Sequence, residues 1–279
     1  MRFITIRKYF IFTILLFSVF SSQAAIIIFD MDGVLVKKSS LMSCWYIGIR
    51  NFFGFYNPFS IQEKLFSFLD LLEPRTETTP IAIHNNLILP PIMCDWLCGS
   101  KSTLEIRNSI VQGLHDHQDF FYSDTERNLI SATAQFIFDP NMLAKVIYPV
   151  KDGIKLIKQC FNKKDKNGNR TNQIYILSNW DKESFALIYS KPKIKKIFKY
   201  IDGMVISGEV GLMKPDPAIF HYLFKEYNLN PDEQLTVFID DQKINLQAAQ
   251  QLGKQMHTIQ CKKLNHKKVH RKLKQLAVI

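Results

Sequence analysis

The chain has little cysteine and no repeated sequence unit. Its five cysteines, Cys44, Cys94, Cys98, Cys160 and Cys261, are odd in number and irregular in spacing, which excludes a disulfide-stapled scaffold and leaves core thiols or one incidental bridge. Cys94 and Cys98 stand at i and i+4, but no further ligands accompany them to complete a zinc site. His115 and His117 lack partners in the same way and read as solvated. Acidic residues are missing from both ends. Residues 262–274 carry seven Lys or Arg, and the first ten residues carry Arg2, Arg7 and Lys8. Those positions account for nearly all of the formal net charge of +11, so the body between them is close to neutral. The basic tail KKLNHKKVHRKLKQ has no aromatics among its lysines, which argues against a specific nucleic-acid partner. Leu264, Val269, Leu273 and Leu276 recur at nearly helical intervals. A terminal helix packed on the domain is expected, with weak contact to an anionic surface as the alternative.

What is present is enough apolar material for a real core: 47% of the 279 residues are hydrophobic and 13% aromatic, which fits one large domain or two smaller ones. The first residues read separately from the rest. MRFITIRKYF is a basic stretch, IFTILLFSVF an apolar one, and SSQAA supplies small residues with Ser22 and Ala24 at −3 and −1 of a cleavage site. Residues 1–24 are therefore expected to be a signal peptide, with export to the periplasm or the extracellular space. An uncleaved membrane anchor over Tyr9–Phe29 is the alternative.

Beyond the leader two textures alternate. Residues 39–148 show no strand alternation but several helix starts: Ser60 with Glu63, Ser102 with Glu105, Ser123 with Glu126, and Asp139 followed by Pro140. Short apolar runs stand at 26–29 (IIIF), 174–177 (IYIL), 204–207 (MVIS) and 236–239 (TVFI), the later ones separated by helix-length segments. That pattern predicts a mostly parallel sheet in an α/β domain, with the helical block inserted after its first strand. PRTETTP and KKDKNGNRTNQ read as surface loops. In a parallel sheet the carboxyl ends of the strands display their next residues at one crevice. Asp30 and Asp32 follow the first run, Ser178 and Asn179 the second, and Asp240 and Asp241 the last. Each taken alone reads as a turn former, and Lys214 as a surface charge; their joint occurrence is what carries meaning.

FDMDGVLV, YILSNWD, VISGEVGLMKPDPAIF and VFIDDQKINLQAA resemble the four sequential motifs of the haloacid dehalogenase (HAD) superfamily, in family order, over 26–38 and 149–260. The resemblance implies a Rossmann-like α/β core (25–38 plus 149–279) and an all-α cap of the C1 type (39–148). It implies that Asp30 is a nucleophile forming an aspartyl-phosphate, that Asp32 is its acid/base partner, and that Lys214 neutralises charge at the phosphoryl group. Ser178 and Asn179 would bind phosphoryl oxygens. Mg2+ would be held by Asp30, the Asp32 carbonyl, Asp240 and Asp241. Asn245, one helical turn beyond Asp241, reads from its spacing either as orienting that carboxylate or as a polar residue on a helix face. A carboxylate at Asp32 points to phosphoryl rather than halogenated substrates, so the implied activity is a Mg2+-dependent phosphatase acting on a small phosphorylated metabolite. Two alternatives are a phosphosugar mutase and a catalytically silent, secreted binding protein on the same fold. The insertion's aromatics Trp45, Phe52, Phe53 and Trp96 are expected in helix packing.

Overall fold

Ile26–Phe29 forms β1, and all four of its side chains are fully buried. In the computed structural model, which describes residues 24–52, 60–77, 79–84 and 87–279, this strand is the centre of a five-stranded sheet. All but the last residue of the expected leader, and Phe53, lie outside the described residues.

From β1 the chain passes through β2 (Val36–Lys38) into an insertion of helices α1 (Ser40–Ile47) and α2 (Ile61–Leu72), a two-residue ladder of β3 (Ile83–His84) and β4 (Leu87–Ile88), then α3 (Pro91–Cys98), α4 (Thr103–Asp116), α5 (Asp124–Ile137) and α6 (Pro140–Val146). It returns through β5 (Ile147–Pro149), which pairs antiparallel with β2. The remaining elements are α7 (Lys151–Phe161), β6 (Gln173–Ser178), α8 (Lys182–Ser190), α9 (Pro192–Phe198), β7 (Gly203–Ile206), α10 (Ser207–Val210), α11 (Pro217–Glu226), β8 (Thr236–Asp240), α12 (Lys243–Ala249), β9 (Met256–Gln260) and α13 (His266–Gln275). The strand order is β7-β6-β1-β8-β9, and every neighbouring pair in it is parallel.

The isoleucine run is explained by its position. Successive strand side chains point to opposite faces, and helices cover both. Ile27 and Phe29 join one apolar cluster with Leu156, Phe185 and Leu273, while Ile26 and Ile28 join another with Ile219, Phe220 and Leu246. A strand buried on both faces has no polar side, and each such side chain contributes about 2 kcal/mol by leaving water.

The insertion has its own core, built on Phe68, Trp96, Ile106, Ile130 and Phe138. Ser102 caps α4 in a complete capping box, and Asp139 caps α6 with Pro140 in its first turn. Ser60 precedes α2 at φ −90°, ψ 0° and makes no side-chain cap. Trp45 departs from the packing expected of it, with 67% of its surface exposed, because α1 buries no complete face. Trp96 is buried as expected. The insertion is tied to the sheet domain by polar contacts. Ser207 Oγ donates to Leu97 O (2.6 Å) and accepts from Trp180 N (2.8 Å), and Thr103 N donates to Glu183 Oε1 (3.1 Å).

The basic tail forms α13, whose Val269 and Leu273 enter the sheet's core while Lys267, Lys268, Arg271, Lys272 and Lys274 face solvent. All five cysteines are free thiols, three of them buried.

Candidate active site

Three parallel strands end side by side. Phe29 of β1 is in register with Ile176 of β6 and Ile239 of β8, so Asp30, Ser178 and Asp240 emerge at one edge of the sheet. After β1 the chain turns sharply: Leu35 and Val36 N–H both donate to Met31 O, and Gly33 adopts φ +74°. Glycine is required there for a second reason. A Cβ at residue 33 would lie 2.7 Å from Asp241 Cγ, so the turn after β1 and the turn after β8 touch at this point.

Lys214 reaches the junction from the segment between α10 and α11. It is 1% exposed, and its ammonium donates to Asp30 Oδ1 (2.8 Å) and Asp240 Oδ2 (2.7 Å). Its backbone is clamped by Asn179, whose carboxamide accepts from Lys214 N and donates to Lys214 O, both at 2.8 Å. Asp216 then caps α11 by accepting from Ala218 N, with Pro217 in the first turn, which fixes the chain immediately beyond the lysine. Burial alone would push the Lys214 ammonium down. Asp240 and Asp30 outweigh that cost and hold it above its ordinary value.

The carboxylates of Asp30, Asp240 and Asp241 each offer an oxygen within 4.8 Å of the others. Burial, reinforced by the Asp240 and Asp241 charges, raises the Asp30 carboxyl to about 8 against the pull of Lys214. Burial and the charges of Asp240 and Asp32 raise Asp241 to about 6. Fully ionised, the three carboxylates exceed the single ammonium by two charges, an imbalance that the site relieves either by keeping a proton on a carboxyl group or by taking up a cation. An all-oxygen donor set of this kind suits a hard divalent ion.

Asp32 lines the same cavity but stands apart from the buried Asp30 and Asp240 and the half-buried Asp241. Its carboxylate is about a third exposed and pairs with Lys38 at 3.0 Å. Ser178 Oγ is buried and has no hydrogen-bond partner. The Asn179 side chain is committed to the Lys214 backbone. One role differs from that read in the sequence. Asn245 orients Asp240, not Asp241: its Nδ2 donates to Asp240 Oδ1 and Oδ2 at 3.2 and 3.1 Å, because α12 turns its first buried residue back toward the strand end.

Lys38, His84 and Asp181 were not legible as site residues, and all three line the cavity. Asp181 follows the Ser178-Asn179-Trp180 stretch and caps α8 by accepting from Ser184 N (2.7 Å); burial raises it to about 6. His84 comes from the insertion, and burial together with the Lys38 charge pushes its imidazole down to about 4.

No family model matches the sequence. A stretch of 88 residues, 32% of the chain, is 35% identical to the drimenol cyclase drtB of Aspergillus calidoustus and spans 16% of that protein's length. Among solved structures, a HAD-like family hydrolase of Porphyromonas gingivalis is 19% identical, with 91% of this chain and 98% of that one covered at a TM-score of 0.54. A HAD family enzyme of Bacteroides thetaiotaomicron is 18% identical, with 85% and 93% covered at 0.52. The same enzyme in complex with magnesium and inorganic phosphate is 17% identical, over the same shares of the two chains, at 0.50. At these identities the likeness establishes the fold, and the fold of this chain is that of the HAD-like hydrolases.

Proposed function

We propose that this chain is a Mg2+-dependent phosphatase that hydrolyses a phosphomonoester through an aspartyl-phosphate on Asp30. The observation that carries this reading is the buried Asp30–Lys214–Asp240 contact with Asp241 beside it, an acidic excess that borders a cavity. Asp30, Asp240, Asp241 and the Asp32 carbonyl would hold Mg2+, which when bound supplies positive charge to the phosphoryl oxygens and favours ionised carboxylates. The Bacteroides thetaiotaomicron enzyme, whose complex holds magnesium and phosphate, supports the choice of ion and ligand.

With Lys214 donating to its Oδ1, the Asp30 carboxylate is the attacking group. It forms a bond to phosphorus as the phosphorus–oxygen ester bond breaks. The departing oxygen takes a proton from Asp32, which lines the cavity and enters this step as its carboxylic acid. Lys214 stays in contact with the phosphoryl group throughout and offsets its charge. The unpartnered Ser178 hydroxyl is available to donate to a phosphoryl oxygen. Water then attacks the acyl-phosphate and gives its proton to Asp32, which restores both carboxyl groups and releases inorganic phosphate. The helical insertion acts as the cap that limits water at this site, and the chain is exported if its leader is cleaved.

The test is release of phosphate from a small aryl phosphate by purified protein with and without Mg2+. Turnover is expected only with the ion, and Asp30→Asn is expected to lower it by at least about a thousandfold, the scale seen when a nucleophile is removed. Turnover of Asp30→Asn near the wild-type rate overturns the assignment, and an inactive wild type across a broad phosphoester panel favours the silent binding protein instead.

A further inference from the structure

The cavity that opens onto Asp30 and Lys214 has a volume of about 600 Å³, large for a site that needs to hold only a phosphoryl group. Its two walls differ in chemistry. The sheet side presents Asp30, Asp32, Lys38, Asp181, Lys214 and Asp241. The insertion side is lined by apolar side chains from several helices, among them Leu65 and Phe66 of α2, Met93 and Trp96 of α3, and Phe136 of α5. Among the described residues, the insertion contributes no Asp, Glu, Lys or Arg to this lining. Its polar side chains there are Gln62, His84 and Thr133, and the Thr133 hydroxyl is committed to Leu129 O at 2.7 Å. The indole N–H of Trp96 is likewise spent on Thr103 Oγ1 at 3.1 Å, so the ring meets the cavity as an apolar surface.

We infer that the substrate is the monophosphate ester of an apolar alcohol or phenol, whose hydrocarbon skeleton lies against the insertion wall while its phosphate meets Asp30 and Lys214; this rests on the phosphatase activity proposed above. A sugar or polyol phosphate placed the same way would move several hydroxyls out of water and face them with side chains that return few hydrogen bonds, which is costly. A second phosphate would find no Lys or Arg on that wall among the described residues. A hydrocarbon group gains from the same transfer, because every apolar atom buried there leaves water. Alkyl and aryl skeletons share this chemistry, and the probes separate them.

The experiment has two arms that fail independently. In the first, wild-type protein with Mg2+ is assayed on n-decyl phosphate, naphthyl phosphate, glycerol phosphate and glucose 6-phosphate. The value of kcat/KM is expected to be about a hundredfold higher for the decyl or the naphthyl ester than for either polyol ester, the scale a few buried methylenes produce. In the second, binding of the same four esters to Asp30→Asn is followed by calorimetry, with no turnover required. The apolar esters are expected to bind at least tenfold more tightly. Ile137 of α5 also lines the apolar wall, and Ile137→Asp, which puts a charge there, is expected to narrow that preference. Equal binding and equal kcat/KM for the four esters overturn the inference while leaving the phosphatase intact. Selective binding of apolar esters by a wild type that hydrolyses none of them supports the pocket assignment and overturns the phosphatase.

Discussion

Asp181 shows what a buried carboxylate costs when only half of it is used. Its Oδ1 caps α8, while Oδ2 is buried without a partner. Burial raises the group from 3.8 to about 6, so the folded state holds its proton more tightly than the unfolded chain does. The sign follows by linkage: the stabilising effect is complete below pH 3.8, declines as pH rises toward 6, and is gone above it. The loss amounts to about 3 kcal/mol at most. Asp181→Asn keeps an oxygen for the Ser184 N–H and has nothing to ionise. Denaturant unfolding at a series of pH values is expected to show the wild type losing stability relative to the variant between about pH 4 and pH 6. A pH-independent difference would show that Asp181 does not titrate in this range.

Gly33 has the opposite character, a residue important for the atoms it lacks. Both its φ of +74° and the 2.7 Å approach of Asp241 Cγ exclude a side chain. Gly33→Ala is expected to destabilise by more than about 1 kcal/mol and, because the displaced group is Asp241, to weaken Mg2+ binding in the same variant. Calorimetric titration with Mg2+ alongside thermal melting checks both. Unchanged Mg2+ affinity in a folded variant would separate the two turns that the structure brings together.

Among the elements, the apolar runs were legible because they are buried on both faces and end in acids or in Ser-Asn. The strands β1, β6 and β8 lie where those runs stand. Strand β9, Met256–Gln260, carried no such signal. It lies at the sheet edge, alternates buried Met256 and Ile259 with exposed or half-exposed His257, Thr258 and Gln260, and resembles a polar connector until β8 pairs with it. The ladder of β2 and β5 was hidden for another reason, since its partners are separated by the whole insertion. His84 was hidden for the same reason: a histidine in a two-residue strand acquires meaning only when its element folds over Lys38 and Asp32. Asn245 was placed beside the correct strand end, but the one-residue choice between neighbouring aspartates is decided by how α12 leaves β8.

Helix α3 meets the sheet domain at close range. Gly99 adopts φ +73° with no room for a Cβ against Gly208 O, and Ser207 Oγ bridges Leu97 O to Trp180 N. Ser207→Ala leaves that carbonyl and that N–H buried without their partner, at a cost of about 1–3 kcal/mol. A thermal midpoint lowered by several degrees is expected. A midpoint equal to wild type would mean that the Ser207 bridge does not help to hold the insertion.

At the scale of the whole molecule, charge and chemistry are segregated. The positive tail lies on α13, where Val269 and Leu273 anchor it and His266 Nε2 sits 2.8 Å from Val34 O, bracing the turn that carries Asp30 and Asp32. The basic face is turned to solvent, while the acids that gather at the strand ends border the cavity. The sheet supplies rigidity, the turns supply carboxylates, and the insertion supplies a cavity with one charged and one apolar side. A phosphate ester can meet both sides at once.

The most direct test is chemical capture of the covalent intermediate. Protein turning over a phosphomonoester with Mg2+ is quenched in acid, digested, and mapped by mass spectrometry. A phosphoryl group on the peptide that contains Asp30, absent when Mg2+ is withheld and absent in Asp30→Asn, is the expected result. Sustained phosphate release with Asp30 unmodified, or with the phosphoryl group on a different residue, would contradict the account.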